Sequence, residues 1–123
     1  MSKTVLVVDD SATARQQVRM VLSQAGYAVV EAFDGLDGAQ KIEASTDIDC
    51  VICDVNMPRL NGLEMLHRVK SQPQHANLPI VMLTTEAQPS LIATAREAGA
   101  KGWIVKPFKP EILVAAVKKL APQ

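Results

Sequence analysis

The sequence predicts an α/β fold, a doubly wound parallel sheet of five strands built from five successive βα units. Three observations predict it. Short apolar runs rich in β-branched residues recur five times, each too short for a helix. Stretches of helical spacing separate them, the pattern of parallel strands joined by helical crossovers. The runs are also apolar on both faces, as strands covered by helices on two sides must be. Right-handed crossovers then leave few topologies, of which a doubly wound sandwich is the simplest.

Taken in order, residues 5–8 (VLVV) form the first strand. Ser11 suits an N-cap, and Ala14, Val18, Val21, Leu22 and Ala25 mark one apolar helix face, with Gly26 just past its end. Residues 28–30 are the second strand, and Leu36, Ala39 and Ile42 mark a second helix after Asp34-Gly35. Residues 50–53 (CVIC) are the third strand, and Leu63, Leu66 and Val69 mark a third helix reached through Asn61. A polar loop is expected over residues 71–77, ahead of a fourth strand at 80–83. Leu91, Ile92 and Ala95 mark the fourth helix, with Pro89 in its first turn and Gly99 beyond its end. Residues 103–105 are the fifth strand, and Leu113, Ala116, Val117 and Leu120 mark the last helix, opened by Pro110.

With 123 residues the chain suits one domain, 1–123, able to bury roughly two-thirds of the surface its unfolded form exposes. The last helix runs almost to the end of the sequence, so no second domain is expected. Thirteen basic residues balance thirteen acidic ones, without the positive excess that nucleic acid or anionic lipid would demand. No apolar run approaches a bilayer span, and no signal-peptide pattern is legible. The expectation is a cytoplasmic monomer with no nucleic-acid or membrane partner. Cys50 and Cys53 form a C-x-x-C, but on a strand residues three apart point to opposite faces. They read as small core residues rather than a metal or redox pair.

In an open α/β sheet, ligands bind at the carboxyl ends of the strands. The residues there are Asp9-Asp10 after the first strand, Asp54 after the third, Thr84-Thr85 after the fourth and Lys106-Pro107 after the fifth. The second strand ends in Glu31, expected outside the cluster. Three clustered carboxylates repel one another unless a cation joins them. Mg²⁺ is the natural one, since it takes one or two carboxylates, keeps waters and leaves room for a phosphate oxygen. Lys106 would neutralise a further anionic oxygen, and the Thr84 hydroxyl would donate to the same group. Each residue alone has a plain explanation: a turn, a strand hydroxyl, a solvated lysine. Their coincidence at successive strand ends is the signal.

The runs Val7-Val8-Asp9-Asp10, Asp54-Val55-Asn56-Met57-Pro58 with Asn61-Gly62, Leu83-Thr84-Thr85 and Lys106-Pro107-Phe108 resemble the receiver domains of two-component response regulators. The resemblance covers essentially the whole chain and implies a flavodoxin-like sheet of strand order 2-1-3-4-5. It further implies that Asp54 accepts a phosphoryl group from phosphohistidine on a sensor histidine kinase, or from a small donor, forming an acyl phosphate. By the same resemblance Asp10, Asp54 and the backbone carbonyl of Asn56 hold Mg²⁺ directly, and Asp9 acts mainly through water. Thr84 and Lys106 would contact the phosphoryl oxygens, and the Lys106-Pro107 bond would be cis. Such a protein is a signalling switch with its own phosphorylation and dephosphorylation chemistry, not an enzyme acting on a separate substrate.

The resemblance also implies a switch in which Thr84 moves toward the phosphoryl group and an aromatic, here Trp103, swings inward behind it. Asn56 and Glu86 occupy positions that tune hydrolysis in the family. Thr85 is β-branched where receivers often carry a smaller residue, and is expected to slow exchange at Asp54. The fourth helix, fifth strand and fifth helix would form the output face, with Lys101, Lys109 and Lys118 contributing. Asp10-Ser11-Ala12-Thr13-Ala14-Arg15 is in keeping with chemotaxis receivers, which makes a chemotaxis kinase and a flagellar motor switch protein the leading partners. A phosphorelay intermediate or a stand-alone regulator of another enzyme is the alternative. A haloacid dehalogenase type of phosphohydrolase would want an acid where Asn56 stands. A flavodoxin-like cofactor carrier would not place Asp9-Asp10 at the phosphate loop.

Overall fold

A computed structural model describes residues 2–123, and within them β-strands and α-helices alternate throughout. They are β1 (Thr4–Val8), α1 (Ala12–Gln24), β2 (Ala28–Ala32), α2 (Gly35–Ala44), β3 (Cys50–Cys53) and α3 (Gly62–Lys70). β4 (Ile80–Thr84), α4 (Pro89–Glu97), β5 (Gly102–Val105) and α5 (Pro110–Leu120) complete the series.

The helices begin where local chemistry satisfies their free N–H groups. Ser11 Oγ accepts the Ala14 N–H at 3.2 Å, and Asp34 Oδ1 accepts the Asp37 N–H at 2.8 Å. Asn61 and Glu64 close a reciprocal capping box at 2.8 and 2.9 Å. α4 and α5 instead open on Pro89 and Pro110, whose preset φ suits the first turn. Gly26 and Gly99 lie just beyond α1 and α4 with φ of 95° and 107°. The 71–77 segment differs from the plain loop expected of it, because Pro73–His75 form a short 3-10 turn. Lys70 reaches over that turn to the Ala76 carbonyl at 3.0 Å, giving an exposed backbone group a charged partner.

All strand pairs are parallel, in the order β2-β1-β3-β4-β5. The side-chain period of two divides the core cleanly. Leu6, Val8, Val51, Cys53, Ile80 and Met82 face one layer, closed by Ala39 and Ile42 of α2 and by Met65 and Leu66 of α3. Val5, Val7, Cys50, Ile52, Val81 and Leu83 face the other, closed by α1 and α5 through Val18, Leu22, Leu113 and Val117. The central strands β3 and β4 are buried throughout, but the edge strands β2 and β5 are not. There the expectation of two apolar faces holds only in part, since an edge strand has a neighbour on one side alone.

Candidate functional site

The register brings the strand ends level. Val8 of β1 is opposite Cys53 of β3, and Cys53 is opposite Met82 of β4. Asp9 and Asp54 therefore leave adjacent strands side by side, and the Asp54 N–H is anchored on the Val8 carbonyl at 3.0 Å. One oxygen from each of Asp9, Asp10 and Asp54 can be chosen so that all lie within 4.8 Å of one another. Asp9 is buried, Asp54 half-buried and Asp10 exposed.

Lys106 comes in from the end of β5, where its N–H is held by the Thr84 carbonyl at 2.8 Å and its bond to Pro107 is cis. Its Nζ lies 2.7 Å from Asp9 Oδ2 and 3.3 Å from Asp54 Oδ2. Burial alone would push the ammonium down, but the hydrogen bond and charge of Asp9, then the charge of Asp54, outweigh it. The Lys106 pKa is held above the ordinary lysine value. Three carboxylates facing one ammonium leave two negative charges uncompensated, the charge that one divalent cation would balance. Oxygen-only donors at this spacing fit a hard cation such as Mg²⁺.

Other contacts hold these groups in place. The Ser11 N–H binds Asp9 Oδ1 at 2.9 Å, and the Val55 N–H binds Asp54 Oδ1 at 2.6 Å. Arg15 donates from Nη1 to the Asp9 carbonyl at 2.6 Å and from Nε to Glu31 at 3.1 Å. Glu31 thus stands outside the cluster, paired with Arg19 at 2.6 Å as well. The Arg19 hydrogen bond, with that of Arg15, keeps its carboxyl below the usual range against the opposing effect of burial.

Glu86 ties the far side together. Its carboxylate accepts from Asn56 Nδ2 at 2.8 Å, its N–H donates to Thr84 Oγ1 at 3.2 Å, and its carbonyl accepts from Trp103 Nε1 at 2.9 Å. Asn56, Thr84 and Trp103, singled out separately in the sequence, meet through this one residue. Trp103 is half-buried against the core layer of α2 and α3. Thr85 is exposed and borders a groove of about 800 Å³ that runs past Lys106, Pro107 and Phe108 toward Met20 on α1. Lys101, Lys109 and Lys118 are exposed around α4, β5 and α5, where Val105 and Ile112 are also exposed.

Cys50 and Cys53 lie in opposite core layers, as strand geometry requires, and share no site. Burial pushes the Cys50 thiol up to about 12 and the Cys53 thiol higher still.

Sequence reasoning missed two contributors. Arg15 was legible only within the run Asp10–Arg15 that is in keeping with chemotaxis receivers, and nothing local marks its hold on Asp9. Arg59 sits after Pro58 and forms an ion pair with Asp34, 25 residues away, at 2.6 Å. Only a contact map reveals that pairing.

Among the described residues, no helix is long and apolar enough to cross a membrane. Residues 5–118 match the family described as response regulator receiver domain. The chain is 42% identical over 109 residues to chemotaxis protein CheY1 of Helicobacter pylori, a span covering 88% of each chain. It is 38% identical over 109 residues to the CheY homolog of Campylobacter jejuni, covering 88% of this chain and 84% of that one. Among solved structures, chemotaxis protein CheY4 of Vibrio cholerae superposes with a TM-score of 0.90 at 41% identity, covering 98% of this chain and 99% of that one. The strand order, the acidic edge and these matches agree, and the chain belongs to the response regulator receiver domain family, among its CheY-like chemotaxis members.

Proposed function

We propose that the protein is a phosphorylation switch, one receiver domain over residues 1–123, in which Asp54 takes a phosphoryl group from phosphohistidine on a histidine kinase. The observation that carries this reading is the acidic cluster with Lys106 Nζ lodged between Asp9 and Asp54. An Asp54 carboxylate oxygen attacks phosphorus as the P–N bond breaks. The electron pair of that bond stays on the imidazole nitrogen, which takes a proton, and an acyl phosphate is left on Asp54. Asp10, Asp54 and the Asn56 carbonyl are the residues to hold Mg²⁺, with Asp9 acting through water. When bound there, the cation supplies charge neutralisation for the phosphoryl oxygens. Lys106 turns from Asp54 to one of those oxygens, and the Thr84 hydroxyl donates to another.

The contacts of Glu86 support a switch of this kind. A Thr84 hydroxyl drawn to the phosphoryl group gives up the Glu86 N–H, and the loop that also holds the Trp103 indole is freed to reset. The reset alters the surface of α4, β5 and α5, where we place the partner. Similarity to chemotaxis proteins favours a chemotaxis kinase upstream and a flagellar motor switch protein downstream, with the protein acting as a cytoplasmic monomer.

Intact-protein mass after incubation with phosphoramidate tests the chemistry. One Mg²⁺-dependent phosphoryl group, labile to hydroxylamine and missing in Asp54→Asn, is the expected result. A folded, Mg²⁺-binding protein that takes no phosphoryl group would instead be an adaptor that has lost the chemistry. In the same assay Thr85→Ala is expected to gain and lose the group several times faster. Unchanged rates would remove Thr85 from the gating of Asp54.

A further inference from the structure

The β3–α3 connection contains the one non-glycine residue with positive φ among those described, Arg59 at 64°. The Leu60 N–H binds the Pro58 carbonyl at 2.7 Å, closing a three-residue turn around it. A γ-turn of this hand is rare and strained. Strain of that kind persists only where the surroundings over-determine it, and such places gather at functional sites.

What over-determines it is α2. Arg59 Nε lies 2.6 Å from Asp34 Oδ2 and Nη2 lies 3.2 Å from Oδ1, a two-pronged grip on a carboxylate that is only 2% exposed. The Arg59 hydrogen bond, opposed by burial, keeps that carboxyl below its usual range. The guanidinium also covers the Phe33 ring, 5.4 Å from its centroid. Backbone joins in, since the Gly35 N–H binds the Leu60 carbonyl at 3.0 Å. Asp34 caps α2 with its other contact, and α2 is seated on the core by Ala39 and Ile42. The turn is therefore bolted to a rigid helix.

Three residues upstream of Arg59 in this same connection stands Asn56, whose backbone carbonyl is the third cation ligand in the function proposed above. We propose that Arg59 is a positioning residue for the divalent cation: its grip on Asp34 holds the strained turn so that the Asn56 carbonyl faces the Asp10–Asp54 cluster. The inference rests on that functional reading and goes beyond it by giving a role to a residue that touches neither cation nor phosphate.

Simple electrostatics makes the opposite prediction. Arg59 is a cation, so removing it would by charge alone tighten the binding of another cation. Loss of a positioning contact weakens it, commonly by tenfold or more. The sign of the change separates the two.

The experiment is calorimetric titration of the metal-free protein with Mg²⁺, with thermal unfolding of each variant in EDTA. Arg59→Gly is the informative change, since glycine accepts φ of 64° without strain while losing the grip. It is expected to weaken Mg²⁺ about tenfold while unfolding near the wild-type temperature. Arg59→Lys keeps charge but not the fork and should fall between. Asp34→Asn keeps the cap on α2 and should weaken Mg²⁺ like Arg59→Gly, the double variant being no worse than either. Equal or tighter binding by Arg59→Gly overturns the proposal while leaving the phosphorylation reading intact. A wild-type protein that binds no Mg²⁺ overturns both.

Discussion

Lys106→Met is expected to slow phosphorylation of Asp54 by phosphoramidate about a hundredfold to a thousandfold, the usual cost of removing one preorganised donor from developing charge. Methionine keeps the length and the apolar stem, so packing beside Pro107 survives and the loss is electrostatic. A second effect accompanies it. In the metal-free protein Lys106 balances part of the charge of Asp9 and Asp54, and without it a buried carboxylate stands beside another with no cation in contact. Breaking such a pair costs about 3–5 kcal/mol when both partners are fully buried; Lys106 is 19% exposed, so the lower part of that range is expected. Mg²⁺ then takes over the ammonium's work, and the variant should gain more thermal stability from Mg²⁺ than the wild type does. A tenfold tighter Kd corresponds to about 1.4 kcal/mol of extra binding free energy. Phosphorylation within threefold of wild type would show that Lys106 does not act on the transferring group. An unfolding temperature no more responsive to Mg²⁺ than wild type would show that it does not substitute for the cation.

Gly62→Ala is expected to be among the most damaging single methyls in the protein, with Gly35→Ala, whose Cβ would stand 2.0 Å from the Leu60 carbonyl oxygen. A Cβ at Gly62 would stand 1.9 Å from the Asp54 carbonyl oxygen and 2.9 Å from its carbon, with Met82 at 3.0 Å. The obstacle is main chain, which cannot swing aside as a side chain can. The Gly62 N–H is moreover tied to the Val55 carbonyl at 2.8 Å, so α3 cannot back away without breaking the turn after Asp54. Overpacking usually costs 1–3 kcal/mol; with a backbone clash the expected loss is about 3 kcal/mol or more. For a domain of this size that lowers Tm by about 10 °C or more. Gly102→Ala is the control, because its nearest neighbour is a Val81 methyl at 3.5 Å. Similar Tm values for the two alanine variants would refute the argument. Any folded fraction of Gly62→Ala should also accept phosphate slowly, because relief of the clash displaces the acceptor's own backbone.

The alternation of strands and helices was legible because each element announces itself within about ten residues. β-branched runs, the cap at Ser11, the helix entries at Asp34 and Asn61, and prolines at 89 and 110 are local chemistry, and the structure uses them locally. The cluster of Asp9, Asp10 and Asp54 was legible for a different reason, since parallel topology delivers all strand ends to one edge. Long-range pairings were not legible. Arg59 and Asp34 have no spacing rule to connect them, and Glu86 looked like one of two separate tuning positions rather than the residue joining Asn56, Thr84 and Trp103. The 3-10 turn at 73–75 was hidden in polar composition, which marks a loop without specifying its shape. Periodicity describes what a residue does for its own element; it is silent on which side chain crosses to another.

The two cysteines have a practical consequence. Both thiols are fully covered and one lies in each core layer, Cys50 under α1 and α5 and Cys53 under α2 and α3. An alkylating reagent meets either sulfur only when the helices above it lift, so the sites serve as two independent clocks of local opening. Timing their modification by peptide mass, with and without a phosphoryl group on Asp54, would report which half of the sandwich loosens as the signal passes. No label need be introduced for it.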